Sequence, residues 1–422
     1  VEPEFFREPT AHEAYLLSLV GSHSPSGSHE RSWEQASWRA IDLPLPVGSA
    51  YREVGTFPSD RPQALGLRLH LPQGQRLWLA WHAEGESVHR VFVDLFRVAP
   101  DSVAQERNDG YLRPAMIRGD ELGGDGWRFD SPETGDYVLR IQPELEGLYR
   151  YDLTIQVGAP WRFPVAGATG RDIGSVFGDS RDGGRREHHG VDIFAPRGTP
   201  VLAAADGYVR SVDTTEIGGR VVWQREEAGR HSIYYAHLDS PLVEEGQRLR
   251  AGDTVGLVGN TGNARTTPPH LHFGAYRRGP RDPWNLILPI PPTAPAVGVD
   301  LDALGRYARV PAENVSFGLD GSAPRNASRA GSVPGPRGAS GPREASRPGN
   351  AYTAEDGSRT GEDTGPGGGS IELPENAPLR ILAGTGGAYR VVLPDGSWGF
   401  LEAGESLPLE PAGSEPLGPG GT

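Results

Sequence analysis

Two histidines stand one residue apart in TTPPHLHFGAY, Thr266 to Tyr276. The stretch reads as a strand, where side chains alternate with period two. His270 and His272 therefore share one face, and Leu271 and Phe273 share the other. That separation suits either a pair of surface side chains or half of a metal site. Upstream, RREHHGVDIFAPRGTPVLAAADGYV holds His188 and Asp192 four residues apart. Gly190 with the β-branched Val191 and Ile193 favours an extended chain, on which His188 and Asp192 face one way and His189 the other. Between these segments SIYYAHLDS carries His237 at a strand end, with Tyr235 of the same parity as either a cleft or a packed residue. The chain has no cysteine, which removes disulfides, thiolate sites and a cysteine nucleophile. Any transition-metal site must draw on His, Asp and Glu.

The elements that must position these residues are mainly strands. Residues 159–290 read as strand and turn, with Gly198, Gly207, Gly246, Gly252, Gly256, Gly259 and Gly262 at the corners and no amphipathic helix. Before them, 1–48 is a helical segment. Tyr15, Leu16, Leu19 and Val20 fall at helical spacing after the N-cap candidate Thr10 and before Gly21, and a second helix carries Trp33 and Trp38 ahead of Pro44. From 49 to 158 the pattern becomes antiparallel hairpins. Leu65, Leu67, Leu69 and Leu71 alternate, the chain turns at Gly74, and Leu77, Leu79 and Trp81 resume the alternation. This predicts a β-sandwich or jelly-roll-like module. Residues 291–318 form an extension.

Residues 319–369 are rich in Gly, Pro, Ser and Arg and cannot bury enough apolar surface to offset ordering entropy, so they read as a disordered linker spanning roughly 40 Å. Residues 370–412 show four short strands with an Asp395-Gly396 hairpin turn, and 413–422 form a disordered tail. The fold class is therefore mainly β and multidomain, as expected of 422 residues.

With 36% hydrophobic residues and no apolar run near the eighteen of a membrane span, the chain reads as soluble, with no transmembrane segment. No signal-like segment follows Val1, which suggests a processed or trimmed chain whose export signal or anchor is gone. A formal net charge of −14 argues against nucleic acid as the main partner. Every basic side chain is Arg. The loop from Asp120 to Asp125 lacks the spaced Asp ladder of a calcium hand. Oligomeric state is not legible.

The order His-x-Gly-x-Asp, then Tyr-Ala-His-Leu, then Gly-Asn-Thr-Gly-Asn with His-Leu-His-Phe, resembles the lysostaphin-type (LytM-like) zinc metallopeptidases that cut peptidoglycan cross-bridges. The resemblance covers residues 160 to 285. It implies a central antiparallel β-sheet peptidase domain in which His188, Asp192 and His272 hold zinc and His237 and His270 line the cleft. Two imidazoles and a carboxylate suit a catalytic zinc that keeps its fourth position for water, whose pKa then falls from roughly 16 to about 7. Peptide cleavage still needs a general base and an oxyanion donor; we assign the base to His270 and the donor to His237, and the sequence leaves open which is which. Many members carry Gly-Pro where this chain has Pro268-Pro269, which concerns loop shape. Arg185 and Arg186 stand before the first motif, placed to touch substrate carboxylates or to pair with Asp182.

The N-terminal strands resemble bacterial pre-peptidase sandwich modules, and 370–412 resembles a small SH3-like barrel, a type that often holds cell-wall polymers. The implied activity is a zinc endopeptidase acting on peptidoglycan cross-bridge peptides outside the cytoplasm, in the periplasm or cell envelope. The alternative is a non-catalytic regulator of another wall hydrolase on the same fold. Members of that kind typically lose ligands, and none is lost here.

Overall fold

The computed structural model describes residues 8–21, 27–58, 61–84, 90–98, 115–123, 126–145, 149–181, 183–228, 231–309, 316–318, 370–372, 377–393, 398–402 and 409–410. The proposed linker, the tail, Asp182 and the Asp395-Gly396 turn lie outside the described residues. By internal contacts the chain divides into two units, Val1–Glu53 with Phe57–Ala294, and Val54–Thr56 with Pro295–Thr422.

In the first unit, α1 (Ala11–Gly21) and α2 (Gly27–Asp42) precede the strands. Thr10 and Glu13 form a reciprocal capping box: Glu13 N–H donates to Thr10 Oγ1 at 3.3 Å and Thr10 N–H donates to Glu13 Oε2 at 2.8 Å. The first strands are β1 (Leu45–Pro46), β2 (Ala50–Phe57), β3 (Leu65–Leu71), β4 (Arg76–Glu84), β5 (Val91–Arg97), β6 (Ala115–Glu121), β7 (Trp127–Asp130), β8 (Gly135–Pro143) and β9 (Tyr149–Gly158). One sheet has the order β1-β3-β8-β5-β6, antiparallel except at β1, and another runs β2-β9-β4-β7. The alternating leucines of β3 and β4 are buried as their spacing predicts, while Arg68 and His70 of β3 face solvent. Trp33 of α2 is buried and donates its indole N–H to Pro143 O at 2.8 Å.

The second set is β10 (Ile173–Ser175), β11 (Ser180–Arg181), β12 (Arg186–Glu187), β13 (Val191–Phe194), β14 (Pro200–Leu202), β15 (Gly207–Thr215), β16 (Gly219–Glu226), β17 (Ser232–Leu238), β18 (Ser240–Pro241), β19 (Arg248–Leu249), β20 (Thr254–Leu257), β21 (His270–Tyr276) and β22 (Pro280–Arg281). Its main sheet runs β10-β13-β21-β17-β16-β15-β19, with β22 beside β21, and β14-β20-β18 form a smaller sheet. Val191, Ile193, Ile233, Tyr235, Leu271 and Phe273 project from one face of the main sheet into a buried cluster with Trp161, Val201 and Val255. Burying side chains of this size contributes about 1.5–3 kcal/mol each, and it forces the alternate residues of β13 and β21 onto the opposite face. Asp192 lies directly across from His272 in the β13–β21 ladder.

In the second unit, the described strands are β23 (Tyr307–Arg309), β24 (Ser316–Gly318), β25 (Ser370–Glu372), β26 (Pro378–Thr385), β27 (Ala388–Val392) and β28 (Trp398–Glu402). β23, β26, β27 and β28 pair antiparallel in an open sheet around Leu379, Ile381, Tyr389 and Val391. Among the described residues no helix is long and apolar enough to cross a membrane.

Candidate metal centre

The β13–β21 register brings Asp192 and His272 together, and His188 reaches them from outside the strand. His188 Nε2 is 3.0 Å from Asp192 Oδ1 and 2.9 Å from His272 Nδ1, and Asp192 Oδ1 is 3.0 Å from His272 Nδ1. Three lone-pair atoms this close repel one another unless a proton or a cation lies among them. Around an ion with bonds of about 2.0–2.1 Å a tetrahedral edge is roughly 3.3 Å, so these donors fit zinc with shifts of a few tenths of an ångström. Among the described residues this is the one group of His, Asp and Glu donors so placed.

The structure corrects one part of the sequence reading. His188 does not share a strand with Asp192: β12 ends at Glu187 and β13 begins at Val191, with 188–190 in a turn between them. The turn holds His188 by its backbone, its N–H donating to Asp179 O and its carbonyl accepting from Gly178 N–H, both at 2.8 Å. Its Nδ1 lies 2.8 Å from Val176 O; a proton there donates to that carbonyl and leaves Nε2 for the metal. His189 is exposed and outside the donor group, as its parity suggested.

The other two histidines join the same cluster. The His237 ring centroid is 5.0 Å from that of His270 and 6.0 Å from that of His272. Each has an Nδ1 at 2.9 Å from a backbone carbonyl, Thr261 for His237 and Pro268 for His270. With that nitrogen protonated, the Nε2 lone pair is free in the neutral ring. Pro268, part of the departure from Gly-Pro, thus supplies the carbonyl that orients His270.

Burial sets the charge states. It lowers the His237 pKa to about 4, with the charges of His270 and His272 adding to the effect. Burial also lowers that of His272, against the attraction of Asp192. For Asp192 burial alone would raise the pKa, but hydrogen bonds and charge from His188 and His272 outweigh it, and the carboxyl is held below its ordinary range.

Tyr235 is packed: its hydroxyl accepts from Ala204 N–H at 2.9 Å and donates to Gln224 Oε1 at 2.6 Å in the core. Tyr234, which sequence reading passed over, instead meets His272 edge-on at 5.9 Å. Arg185 and Arg186 are exposed. Arg181 reaches the site, its Nη2 donating to Asp192 Oδ2 at 2.8 Å. No local spacing marks it, since the contact depends on how the β11–β12 hairpin folds over β10 and β13.

The sheet therefore carries a three-donor candidate metal site with two further histidines beside it. Residues 186–283 match the sequence profile of Peptidase family M23, and the chain carries a domain of that family. It is 35% identical over 158 residues to an L-Ala--D-Glu endopeptidase of Bacillus subtilis (strain 168), covering 36% of this chain and 48% of the relative. It is also 40% identical over 88 residues to the peptidoglycan DD-endopeptidase ShyC of Vibrio cholerae (serotype O1), covering 21% of this chain and 20% of the relative. The chain thus spans less than half the length of these relatives. Among solved structures it is similar to the catalytic domain of lysostaphin from Staphylococcus simulans, at 33% identity over 26% of this chain and 86% of that one, with a TM-score of 0.24.

Proposed function

We propose that the protein is a zinc-dependent endopeptidase that hydrolyses peptide cross-links of bacterial peptidoglycan, acting outside the cytoplasm in the periplasm or cell envelope. The observation that carries this reading is the convergence of three donor atoms 2.9–3.0 Å apart beside two further histidines with free Nε2 atoms. The match to a peptidase family and the activities named for the relatives supply the substrate class. Zinc bound by His188, Asp192 and His272 would supply Lewis acidity, making water a nucleophile near neutral pH.

The remaining work falls to the chain's own groups. A neutral imidazole takes a proton at Nε2 and, once charged, donates it to the leaving amine. An oxyanion donor must carry a proton at Nε2 throughout. The initial allocation makes His237 that donor, against a pKa of about 4. Burial keeps the His237 ring neutral, and with its Nδ1 on Thr261 O the free Nε2 suits the proton-acceptor role instead. The regulator alternative has no ligand loss to support it. We also infer that the strands within 49–158 and 370–412 form accessory modules flanking a catalytic domain at 159–290.

Incubation of the full chain and zinc with peptidoglycan sacculi should release cross-bridge peptides detectable by mass spectrometry, and a chelator should abolish release until zinc returns. His237→Ala should retain stoichiometric zinc while losing about 10²–10⁴-fold in rate. No release by the zinc-loaded wild type would leave only the fold.

A further inference from the structure

We propose that Arg181 is a positioning residue that restricts Asp192 to one coordinating oxygen and so keeps a position of the metal centre open for water; this rests on reading His188, Asp192 and His272 as the ligands. A carboxylate can bind an ion through one oxygen or two, and a second would raise the coordination number to five and crowd the position that hydrolysis needs. Here the oxygens are divided. Oδ1 stands 3.0 Å from each imidazole donor, whereas Oδ2 accepts from Arg181 Nη2 at 2.8 Å. The guanidinium is permanently charged and rigid, and Asp192 is mostly buried, so the pair is less screened than a surface one.

Arg181 is itself held from a second direction. The same Nη2 donates to Ser175 Oγ, and that hydroxyl donates to Asp179 Oδ2 at 2.8 Å. Asp179 Oδ2 also accepts from Val176 N–H at 2.9 Å, and Val176 O is the carbonyl beside His188 Nδ1. One hydrogen-bonded chain therefore joins the backs of two ligands, and Ser175 is the cross-strand partner of Asp192. Outer partners of this kind typically govern metal affinity or activity by about 10–100-fold.

The test uses the full chain as wild type, Arg181→Lys and Arg181→Gln, each stripped of metal and reloaded with cobalt(II), with zinc affinity measured by chelator competition. The wild type should give the intense visible bands of a four-coordinate ion. Arg181→Gln should give the weaker absorption of a five-coordinate ion as Oδ2 swings in, with zinc affinity changed about tenfold or more. Arg181→Lys keeps the cation without the planar fork, secures a folded comparison, and should fall between them. Identical spectra and affinities in wild type and variants would overturn the role of Arg181. Failure of the wild type to bind either metal would instead remove the ligand assignment beneath it.

Discussion

His188 offers Nε2 to the donor triangle and His272 offers Nδ1, and the difference follows from what the far side of each ring meets. The other nitrogen of His188 faces the Val176 carbonyl. The far edge of the His272 ring lies against Gly190, where an added Cβ would come within 3.0 Å of Nε2, 2.9 Å of Cε1 and 2.4 Å of the Phe273 carbonyl oxygen. Gly190 is thus required by close approach. Gly190→Ala should push the imbalance onto the softer neighbour, the imidazole, because the Phe273 carbonyl is fixed in its strand. Overpacking of this size costs about 1–3 kcal/mol, and a comparable loss at the ligand weakens metal binding roughly tenfold to a hundredfold. Zinc titration of Gly190→Ala against wild type measures this directly, and unchanged affinity would show that the turn at 188–190 yields instead.

β17 carries chemistry on one face and core on the other, and it changes parity where the two meet. Ala236 pairs with His272 across the ladder, so Tyr234 and Ala236 lie on the site face and Ile233 and Tyr235 on the core face. Strict alternation would send His237 to the core with Tyr235. A register shift against β16 and a left-handed φ of 62° at His237 return its ring to the site. Such a conformation in a non-glycine residue costs of order 1–3 kcal/mol and persists because packing imposes it. This explains which parts of the site were legible in the sequence. Asp192, His270 and His272 follow from period-two alternation on regular strands, and α1 follows from its helical spacing between the N-cap Thr10 and Gly21. His188 in a turn, His237 after a bulge and Arg181 from a neighbouring hairpin depend on tertiary contacts that no local pattern records. Strand parity puts His188 on the face of Asp192 although it lies outside the strand, and only the family resemblance brings His237 to the cleft. The core face makes its own prediction: Tyr235→Phe leaves Ala204 N–H and Gln224 Oε1 without their hydroxyl partner. It should destabilise the protein by about 1–3 kcal/mol in denaturant unfolding while zinc affinity stays unchanged. A loss of zinc affinity at full stability would mean that Tyr235 serves the cleft.

Across the first unit, buried histidines such as His12 and His237 tie stability to pH in the same direction. His12 of α1 stacks on Trp33 with ring centroids 4.5 Å apart and lies 2.7 Å, Nε2 to Oε1, from Gln142. Its burial, reinforced by the charge of Arg140, lowers its pKa to about 3, and that of His237 falls to about 4. Both rings are neutral when folded and regain a pKa near 6.5 when unfolded. As pH falls below about 6.5 the unfolded chain binds protons that the folded chain refuses, so stability is present above that pH and is lost progressively down to about 4 for His237 and about 3 for His12. Each histidine contributes a slope approaching about 1.4 kcal/mol per pH unit inside its window. Carboxylates held low, such as Asp179 and Glu226, add to the loss only as pH falls through the ordinary carboxylate range, and Asp94, raised by burial, acts in the opposite sense, so the comparison of wild type with a His12 variant from pH 6 to 5 isolates that imidazole. The measurement is urea unfolding of the metal-free full chain across that interval, followed by fluorescence of the buried tryptophans. His12→Gln, which cannot titrate, should fold with a slope shallower by about one proton. An equal slope in wild type and variant would mean that His12 is charged or exposed in the folded protein, and that α1 is not seated on β5 and β8 as Trp33, Phe92 and Gln142 place it.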